Sequence, residues 1–305
     1  MRGRPRLLLG VDGGQSATLA AVADEGGRIL GEGEAGPCNH TRAKGGARKF
    51  ERALRGSILA AWRKAGLKGD PQFAAACLGF SGGAADKREL ARQIVRARKL
   101  YVTSDAEIAL AGATGGEPGI VVIGGTGSIA YGRNQAGDTA RAGGWGYLFG
   151  DEGSAFDIVR QALRAVLLSE EGRGKSTSLR GALLESTGAA TVDELLHLFY
   201  TADWPRDRIA ALAPLVDQAA AQGDLVALRI LRNAGASLAE LALGLRRVLF
   251  PSKRHVLITY TGGVFESKDV RRAFARRAPC EPARLPPVQG AVLIARELLQ
   301  LERQP

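Results

Sequence analysis

The chain has 305 residues, of which 45% are hydrophobic and 24% charged, a composition that suits folded domains and excludes a disordered or collagen-like chain. Its apolar runs, such as residues 7–9 and 120–123, are far shorter than the roughly 20 residues that a membrane-spanning helix needs. The net charge of +11 invites a nucleic-acid interpretation, but the basic residues are scattered and no nucleic-acid-binding motif is recognisable, so we expect neither nucleic acid nor a membrane as a partner.

The cysteines and the amino terminus indicate the expected compartment. Cys38, Cys77 and Cys280 are too widely spaced to suggest a disulfide framework or a thiolate metal site. The basic first residues are followed by only a short strand-like run, in which no signal peptide is recognisable. We therefore expect a cytoplasmic protein. A homodimer is compatible with the sequence, which does not set the oligomeric state.

The first third of the chain alternates between patterns typical of strands and of helices. Short apolar runs separated by turn residues predict three strands, over residues 6–11, 17–23 and 28–35. A helix is predicted over residues 43–65, because its apolar residues recur at a spacing of four. These residues are Phe50, Leu54, Ile58 and Trp62. A buried strand over residues 73–80, a helix over 86–98 and a strand over 100–103 follow.

The remainder of the chain opens with the same order of elements. Strands are predicted over residues 119–123, 128–133, 139–142 and 255–260, and helices over 151–168, 192–201, 206–221, 224–249, 267–277 and 288–301. We place a domain boundary near residues 113–119, where glycine and proline cluster. This gives α/β domains over 1–113 and 114–305, the second with a helical insertion. We leave open that the last helix, residues 288–304, packs back on the first domain.

Three predicted strands end in glycine-rich turns that also carry hydroxyl residues, at residues 12–16, 124–128 and 261–263. Glycine lets the backbone approach a ligand closely, and successive N–H groups then form a site for phosphate. One such turn alone is better explained as a tight hairpin, but three of them favour the phosphates of a nucleotide. The residues expected to contact phosphate are Gly13, Gly14, Ser16 and Thr126.

Asp12 is an acidic residue in the first of these turns. A carboxylate is a hard oxygen ligand of the kind that binds Mg²⁺ in phosphoryl-transfer sites. The alternative is an Asx-turn, in which the side chain bonds its own backbone. We expect the metal role.

Four segments together resemble the N-acetylglucosamine kinase family, which belongs to the BadF/BadG/BcrA/BcrD-type ATPases of the sugar kinase and actin superfamily. They are residues 12–14, 104–106, 125–128 and 143–154. The resemblance implies two ribonuclease-H-like domains of actin/hexokinase type with an interdomain cleft that takes ATP and an amino sugar. It also implies that Gly262, Gly263 and Ser267 bind adenosine.

Asp105 follows a predicted strand and precedes a helix, which places it at the carboxyl edge of a sheet, where α/β folds bind ligands. A carboxylate there can orient a sugar hydroxyl and take its proton as the oxygen attacks phosphorus. Ser104 and Glu107 also form a capping-box pattern, so Asp105 could simply favour the first helical turn. Both roles are compatible. By similarity to the family, Asp105 aligns with the catalytic aspartate.

The resemblance further implies a set of sugar-binding residues: Asn39, Gly127, Ser128, Gly144, Trp145 and Asp151, together with Asp105. The alternatives are a turn-forming role for Asn39, a core position for Trp145 and a helix N-cap for Asp151. Thr41 departs from the pattern, because relatives can carry an aromatic residue there that contacts the N-acetyl group. The N-substituent of the sugar therefore stays open.

We expect ATP- and Mg²⁺-dependent phosphorylation of an amino sugar, with the 6-hydroxyl of N-acetylglucosamine as the first choice. Glucosamine and N-acetylmuramic acid are alternative substrates. An ATPase activator of the 2-hydroxyacyl-CoA dehydratase type is a rival, but it would need closely paired cysteines. A non-catalytic sugar sensor would commonly carry a DNA-binding helix-turn-helix, for which the few residues before the first strand leave no room.

Overall fold

The computed structural model describes residues 6–14, 17–38, 41, 45–82, 85–253 and 255–300. The chain divides into two units, Met1–Pro118 with Ala283–Pro305, and Gly119–Pro282. This division differs from the expected one at residue 113 in two segments, 114–118 and 283–305. Arg284 joins the two segments, since its N–H donates to the Ala113 carbonyl oxygen at 3.1 Å and its Nη1 to the Thr114 carbonyl oxygen at 2.9 Å.

The first unit is built on a five-stranded sheet in the order β3-β2-β1-β4-β5. Its strands are β1 (Leu8–Gly13), β2 (Thr18–Ala23), β3 (Ile29–Ala35), β4 (Phe73–Phe80) and β5 (Ala97–Ser104). Strand β2 runs antiparallel to β1 and β3, whereas β1, β4 and β5 are parallel. Gly13 pairs with Phe80, and Phe80 pairs with Ser104, so the three parallel strands end level with one another.

The helices of the first unit are α1 (Gly46–Lys64), α2 (Arg88–Ile94), α3 (Asp105–Thr114) and the C-terminal helix, Pro287–Gln300. The apolar stripe predicted for α1 is buried, as expected, and the helix packs against β2 and β3. A Cβ atom at Gly33 would lie 2.3 Å from the backbone nitrogen of Ala61, so this strand must carry glycine for α1 to approach it. The C-terminal helix packs against α3, β1 and β4.

The second unit repeats this sheet. Its strands are β6 (Gly119–Gly124), β7 (Ser128–Arg133), β8 (Thr139–Gly143), β9 (Ile258–Thr261) and β10 (Glu281–Pro282). The order is β8-β7-β6-β9-β10, with β7 antiparallel to β6 and β8, and with β6, β9 and β10 parallel. Both units therefore share one strand order and one pattern of strand directions. The predicted α/β class with two similar domains is confirmed.

Seven helices of the second unit lie within the described residues. They are α4 (Ala155–Glu170), α5 (Leu179–Thr187), α6 (Val192–Leu198), α7 (Arg206–Ala210), α8 (Ala213–Ala221), α9 (Leu225–Leu249) and α10 (Lys268–Arg277). In the part of the chain that is described, no helix combines the length and the apolar character needed to cross a membrane.

Several predicted helix boundaries were wrong. Helix α4 begins at Ala155 rather than at residue 151, because the Ser154 side chain accepts the N–H of Asp157 and caps it. The helix predicted over residues 206–221 is two helices, α7 and α8. The helix predicted over 86–98 ends at Ile94, because Ala97 already pairs with Phe73 in the sheet. Helix α5 and strand β10 were not predicted.

Candidate active site

Two carboxylates lie at the edge of the first unit's sheet where the parallel strands end. Asp105 is the first residue of α3, and Ser104 caps that helix by accepting the N–H of Glu107 at 3.3 Å. One oxygen of Asp105, Oδ2, accepts the hydroxyl of Ser81 at 2.6 Å, and Oδ1 accepts the N–H of Ala106 at 2.9 Å. These two hydrogen bonds fix the orientation of the carboxylate. Each of its oxygens keeps a further lone pair for a ligand.

Asp12 lies inside β1, where its backbone pairs with Leu19 and Gly79. Its side chain is half-buried, and burial, followed by the negative charge of Asp105, raises its pKa from the ordinary 3.8 to about 6. Two neighbouring carboxylates that raise a pKa in this way form a site that a cation would stabilise. The described residues contain no cluster of three or more histidine, cysteine, aspartate and glutamate side chains, so water and phosphate would have to complete the coordination.

The backbone after Asp12 is described only in part. Gly14 donates its N–H to the Ala17 carbonyl oxygen at 2.9 Å across the turn. A Cβ atom at Gly13 would lie 2.3 Å from the Phe80 ring, so only glycine fits where β1 ends beside β4. The predicted site residues Ser16 and Asn39 lie outside the described residues.

The second unit carries its glycine-rich turn between β6 and β7. The Gly125 N–H donates to the Gly127 carbonyl oxygen at 2.9 Å, and the Gly125 carbonyl oxygen accepts the N–H of Ala155 at the start of α4. Ser128, the first residue of β7, is buried. Its N–H donates to Oδ1 of Asp151 at 3.1 Å, and its hydroxyl donates to the Glu152 carbonyl oxygen at 2.8 Å. The turn is thus joined to the segment that precedes α4.

Asp151 lies in this segment and is only 3% exposed. Its φ of 61° is in the left-handed region, which a non-glycine residue adopts at a cost of about 1–2 kcal/mol. The alternative that it caps α4 is wrong, because Ser154 occupies the cap. This buried carboxylate, on a strained backbone, holds the turn by accepting the N–H of Ser128. To bind a sugar hydroxyl as well, it would use a free lone pair on one of its two oxygens.

The loop before Asp151 supplies two more predicted site residues. Gly144 has a φ of 70°, and its N–H donates to the Ser128 carbonyl oxygen at 2.9 Å. Trp145 is 65% exposed, so the alternative that it is a core residue is wrong. The guanidinium of Arg141 lies 4.6 Å from the centre of the indole ring. The indole therefore presents an aromatic surface beside the turn.

The third glycine-rich turn lies next to the second, because β9 is the parallel neighbour of β6 and Thr261 pairs with Ile123. Gly262 has a φ of 102°, and a Cβ atom on it would lie 2.4 Å from the carbonyl oxygen of Gly124. Gly263 opens the short 3₁₀ helix that follows. Ser267 is buried and caps α10 by accepting the N–H of Val270, so a structural role accounts for its hydroxyl.

Two residues of these clusters were missed by the sequence analysis. Ser81 could have been found, since it follows β4 at the same sheet edge as Asp12 and Asp105. Arg206 could not, because its partners are distant in sequence. Its Nη2 donates to the Thr126 carbonyl oxygen, 80 residues earlier, at 3.0 Å, and forms an ion pair with Asp151, 55 residues earlier.

Comparison with known proteins places the chain in a family. The BadF/BadG/BcrA/BcrD ATPase family matches residues 9–295. The N-acetylmuramic acid/N-acetylglucosamine kinase of Clostridium acetobutylicum is 35% identical over 269 residues, which are 86% of each chain. The N-acetyl-D-glucosamine kinase of Dictyostelium discoideum is 30% identical over 285 residues, 87% of each chain.

Among solved structures, a protein from Chromobacterium violaceum provisionally assigned as an N-acetylglucosamine kinase has a TM-score of 0.80 and 30% identity. The match covers 95% of this chain and 99% of that one. The family match spans both sheets and every glycine-rich turn described above. This chain is a member of the BadF/BadG/BcrA/BcrD ATPase family.

Proposed function

We propose that this protein is an ATP-dependent amino-sugar kinase that phosphorylates the 6-hydroxyl of N-acetylglucosamine. Membership of an ATPase family and two relatives named as kinases of N-acetylglucosamine support the substrates. The single observation that carries the chemistry is the carboxylate of Asp105, held by Ser81 and Ala106 beside Asp12, at the sheet edge where the parallel strands end. An oriented carboxylate of this kind is what transfer to a hydroxyl requires.

In this proposal Asp105 is the catalytic base. It accepts a hydrogen bond from the sugar hydroxyl and so aims the oxygen at the terminal phosphorus of ATP. The new O–P bond forms as the bond to the leaving phosphate breaks, the hydroxyl proton passes to Asp105, and ADP is released. Because phosphoryl transfer depends mostly on positioning, the main role of Asp105 is to orient the sugar hydroxyl. Ser81 supports this role by holding Oδ2 of Asp105 in place.

The nucleotide would be held by the glycine-rich turns. Gly13, Gly14, Ser16 and the turn at Thr126 would contact phosphate oxygens, and Gly262, Gly263 and Ser267 would contact adenosine. Asp12 would bind Mg²⁺, which neutralises phosphate charge when present. The ionised form of Asp12 is the ligand, and its pKa is raised to about 6, so a proton competes with Mg²⁺ and the metal affinity should fall as the pH drops below that value.

The sugar would be held by Asn39, Gly127, Ser128, Gly144, Trp145 and Asp151. The exposed indole of Trp145 offers a flat apolar surface for the C–H face of a sugar ring. The acceptors for sugar hydroxyls would be carboxylate and backbone oxygens of the second unit. Glucosamine and N-acetylmuramic acid are the alternative acceptors, and the measurement below includes both.

The rival role, an ATPase activator with an iron–sulfur cluster, is not favoured by the cysteines. Burial raises the pKa of Cys38 and of Cys280, the latter to about 11, and raises that of Cys77 well above its ordinary value. An iron–sulfur cluster needs thiolates close to one another, whereas Cys38, Cys77 and Cys280 lie in three different parts of the hydrophobic core.

The test is a coupled assay of ADP release with ATP, Mg²⁺ and a panel of sugars: N-acetylglucosamine, glucosamine, N-acetylmuramic acid, N-acetylmannosamine and glucose. Phosphorus–carbon NMR couplings of the product identify the hydroxyl that is modified. Asp105→Asn should lower sugar-dependent turnover by about 10²–10⁴-fold and leave ATP binding nearly unchanged. The matched control is Asp193→Asn, an exposed aspartate in the first turn of α6. Activity of Asp105→Asn above about a tenth of wild type would rule out Asp105 as the base.

A further inference from the structure

We propose that Arg206 is a positioning residue that holds Asp151 and the glycine-rich turn at Thr126 in one fixed arrangement, so that sugar and ATP binding both depend on it. The inference rests on the proposed function, because it assigns Asp151 to the sugar and the turn to phosphate. Neither the family match nor the sequence motifs point to this arginine.

The first observation is the charge of Asp151. This carboxylate is 3% exposed, and a buried charge is stable only when it is paired and hydrogen-bonded. Arg206 supplies the positive charge through Nη2 at Oδ2, while the N–H of Ser128 takes Oδ1. Each oxygen has one strong partner and one lone pair left. Arg206 therefore fixes the direction in which the remaining lone pairs of the Asp151 carboxylate point.

The second observation is the bond from the same nitrogen to the turn. Arg206 Nη2 also donates to the Thr126 carbonyl oxygen at 3.0 Å. A Cβ atom at Gly127 would lie 2.7 Å from Nη2 and 2.9 Å from Oδ1 of Asp151, so the turn packs directly on the ion pair. One guanidinium nitrogen thus joins the proposed sugar acceptor to the proposed phosphate turn.

The third observation is the rigidity of the arginine itself. Its guanidinium carbon lies 5.4 Å from the ring centre of Tyr147 and 5.7 Å from that of Phe156, and the two rings contact each other with centres 5.2 Å apart. These rings flank Asp151 in sequence. The planar guanidinium is therefore confined by two aromatic side chains and two oxygen acceptors, which a lysine could not reproduce.

Arg206 belongs to a helical segment that is distant in sequence from both the turn and Asp151. It is the first residue of α7, within the run of helices α5 to α8 that the second unit inserts after α4. This helical segment reaches the turn through the Arg206 side chain. We therefore expect loss of Arg206 to affect two substrates, whereas Asp151→Asn, which can still accept the N–H of Ser128 through its amide oxygen, should affect only the sugar.

The experiment compares Arg206→Met, Arg206→Lys and Asp151→Asn with the control Arg208→Met. Arg208 is in the same helix and likewise stacks on an aromatic ring, that of Trp204 at 4.0 Å, but it contacts neither the turn nor Asp151. Arg206→Met should raise KM for the sugar and KM for ATP by at least about tenfold each, or about 1.4 kcal/mol. Arg206→Lys should be intermediate, Asp151→Asn should raise the sugar KM alone, and Arg208→Met should match wild type.

A structural effect is separated from positioning by the double variant Arg206→Met with Asp151→Asn. It carries no buried unpaired charge, so its urea midpoint should recover toward wild type relative to Arg206→Met alone. The KM for ATP, which Asp151→Asn alone should not raise, should nevertheless stay high. Recovery of the KM for ATP together with the midpoint, or KM values for Arg206→Met equal to those for Arg208→Met, would overturn the inference.

The failure of the proposed function gives a different result. If wild type and Arg208→Met both fail to phosphorylate every sugar in the panel, the kinase assignment is refuted. Calorimetric titration with ATP then tests the role of Arg206 independently of the kinase assignment. Binding weakened at least about tenfold by Arg206→Met but not by Arg208→Met supports it, and equal binding overturns it.

Discussion

Replacing Asp12 by asparagine should make the stability of the protein less dependent on pH. Burial and the charge of Asp105 raise the pKa of Asp12 from 3.8 to about 6. Between these values the folded protein holds a proton that the unfolded chain has released, so the free energy of unfolding falls as pH rises. At about 1.4 kcal/mol for each pKa unit, the ionised carboxylate costs the folded state about 3 kcal/mol above pH 6.

Asp12→Asn removes this cost, so the variant should gain up to about 3 kcal/mol over wild type at pH 7.5, compared with pH 4. The assay is urea unfolding at several pH values, without Mg²⁺ or nucleotide. Glu34→Gln, which changes the charge equally at an exposed position of β3, should show no such pH-dependent gain. A difference between Asp12→Asn and wild type that stays constant from pH 4 to 7.5 would refute the reasoning. Added Mg²⁺ should stabilise wild type more than the variant.

Two further substitutions test the neighbouring contacts. Ser81→Ala removes the 2.6 Å hydrogen bond to Asp105, which is worth about 1–1.5 kcal/mol. The variant should therefore lower kcat by about 5- to 13-fold, with little change in the KM for ATP. An unchanged kcat would show that the Asp105 carboxylate does not need the hydrogen bond from Ser81. Gly127→Ala places a Cβ atom 2.7 Å from Arg206, and should lower stability in urea by more than about 1 kcal/mol. Gly125→Ala, whose Cβ atom would meet nothing within 4 Å, is the control, and equal losses for the two variants would contradict the clash.

The elements that were predicted correctly are those whose formation depends on residues close to one another in sequence. The apolar stripe of α1 recurs at helical spacing, and strand β4 is an apolar run bounded by turn residues, so both lie where the patterns placed them. The position of Asp105 at the sheet edge was predicted for the same reason, because it follows a strand and begins a helix; its role stays a prediction. The start of α4 was predicted wrongly, because Asp151 and Ser154 are both residues that favour the N-terminus of a helix. Asp151 looked like a cap, but Ser154 and Asp157 make reciprocal bonds with the backbone there.

The features that the sequence could not predict depend on contacts between distant segments. The left-handed backbone of Asp151 is stable because Ser128 and Arg206 hold its side chain from other parts of the chain. A helix beginning at Arg206 was predicted, but nothing in the sequence pairs this arginine with Thr126 or Asp151. The raised pKa of Asp12 likewise arises from burial and from Asp105, which is far away in sequence.

The shared strand order of the two units makes them two versions of one scaffold that have diverged in charge. The place of Asp12, one residue before the end of β1, corresponds in β6 to the apolar Ile123. The second unit instead carries its acid beside the turn, as Asp151, where the guanidinium of Arg206 neutralises it. The same strand order therefore holds a half-buried carboxylate on a strand in one unit and a paired, buried carboxylate next to the turn in the other.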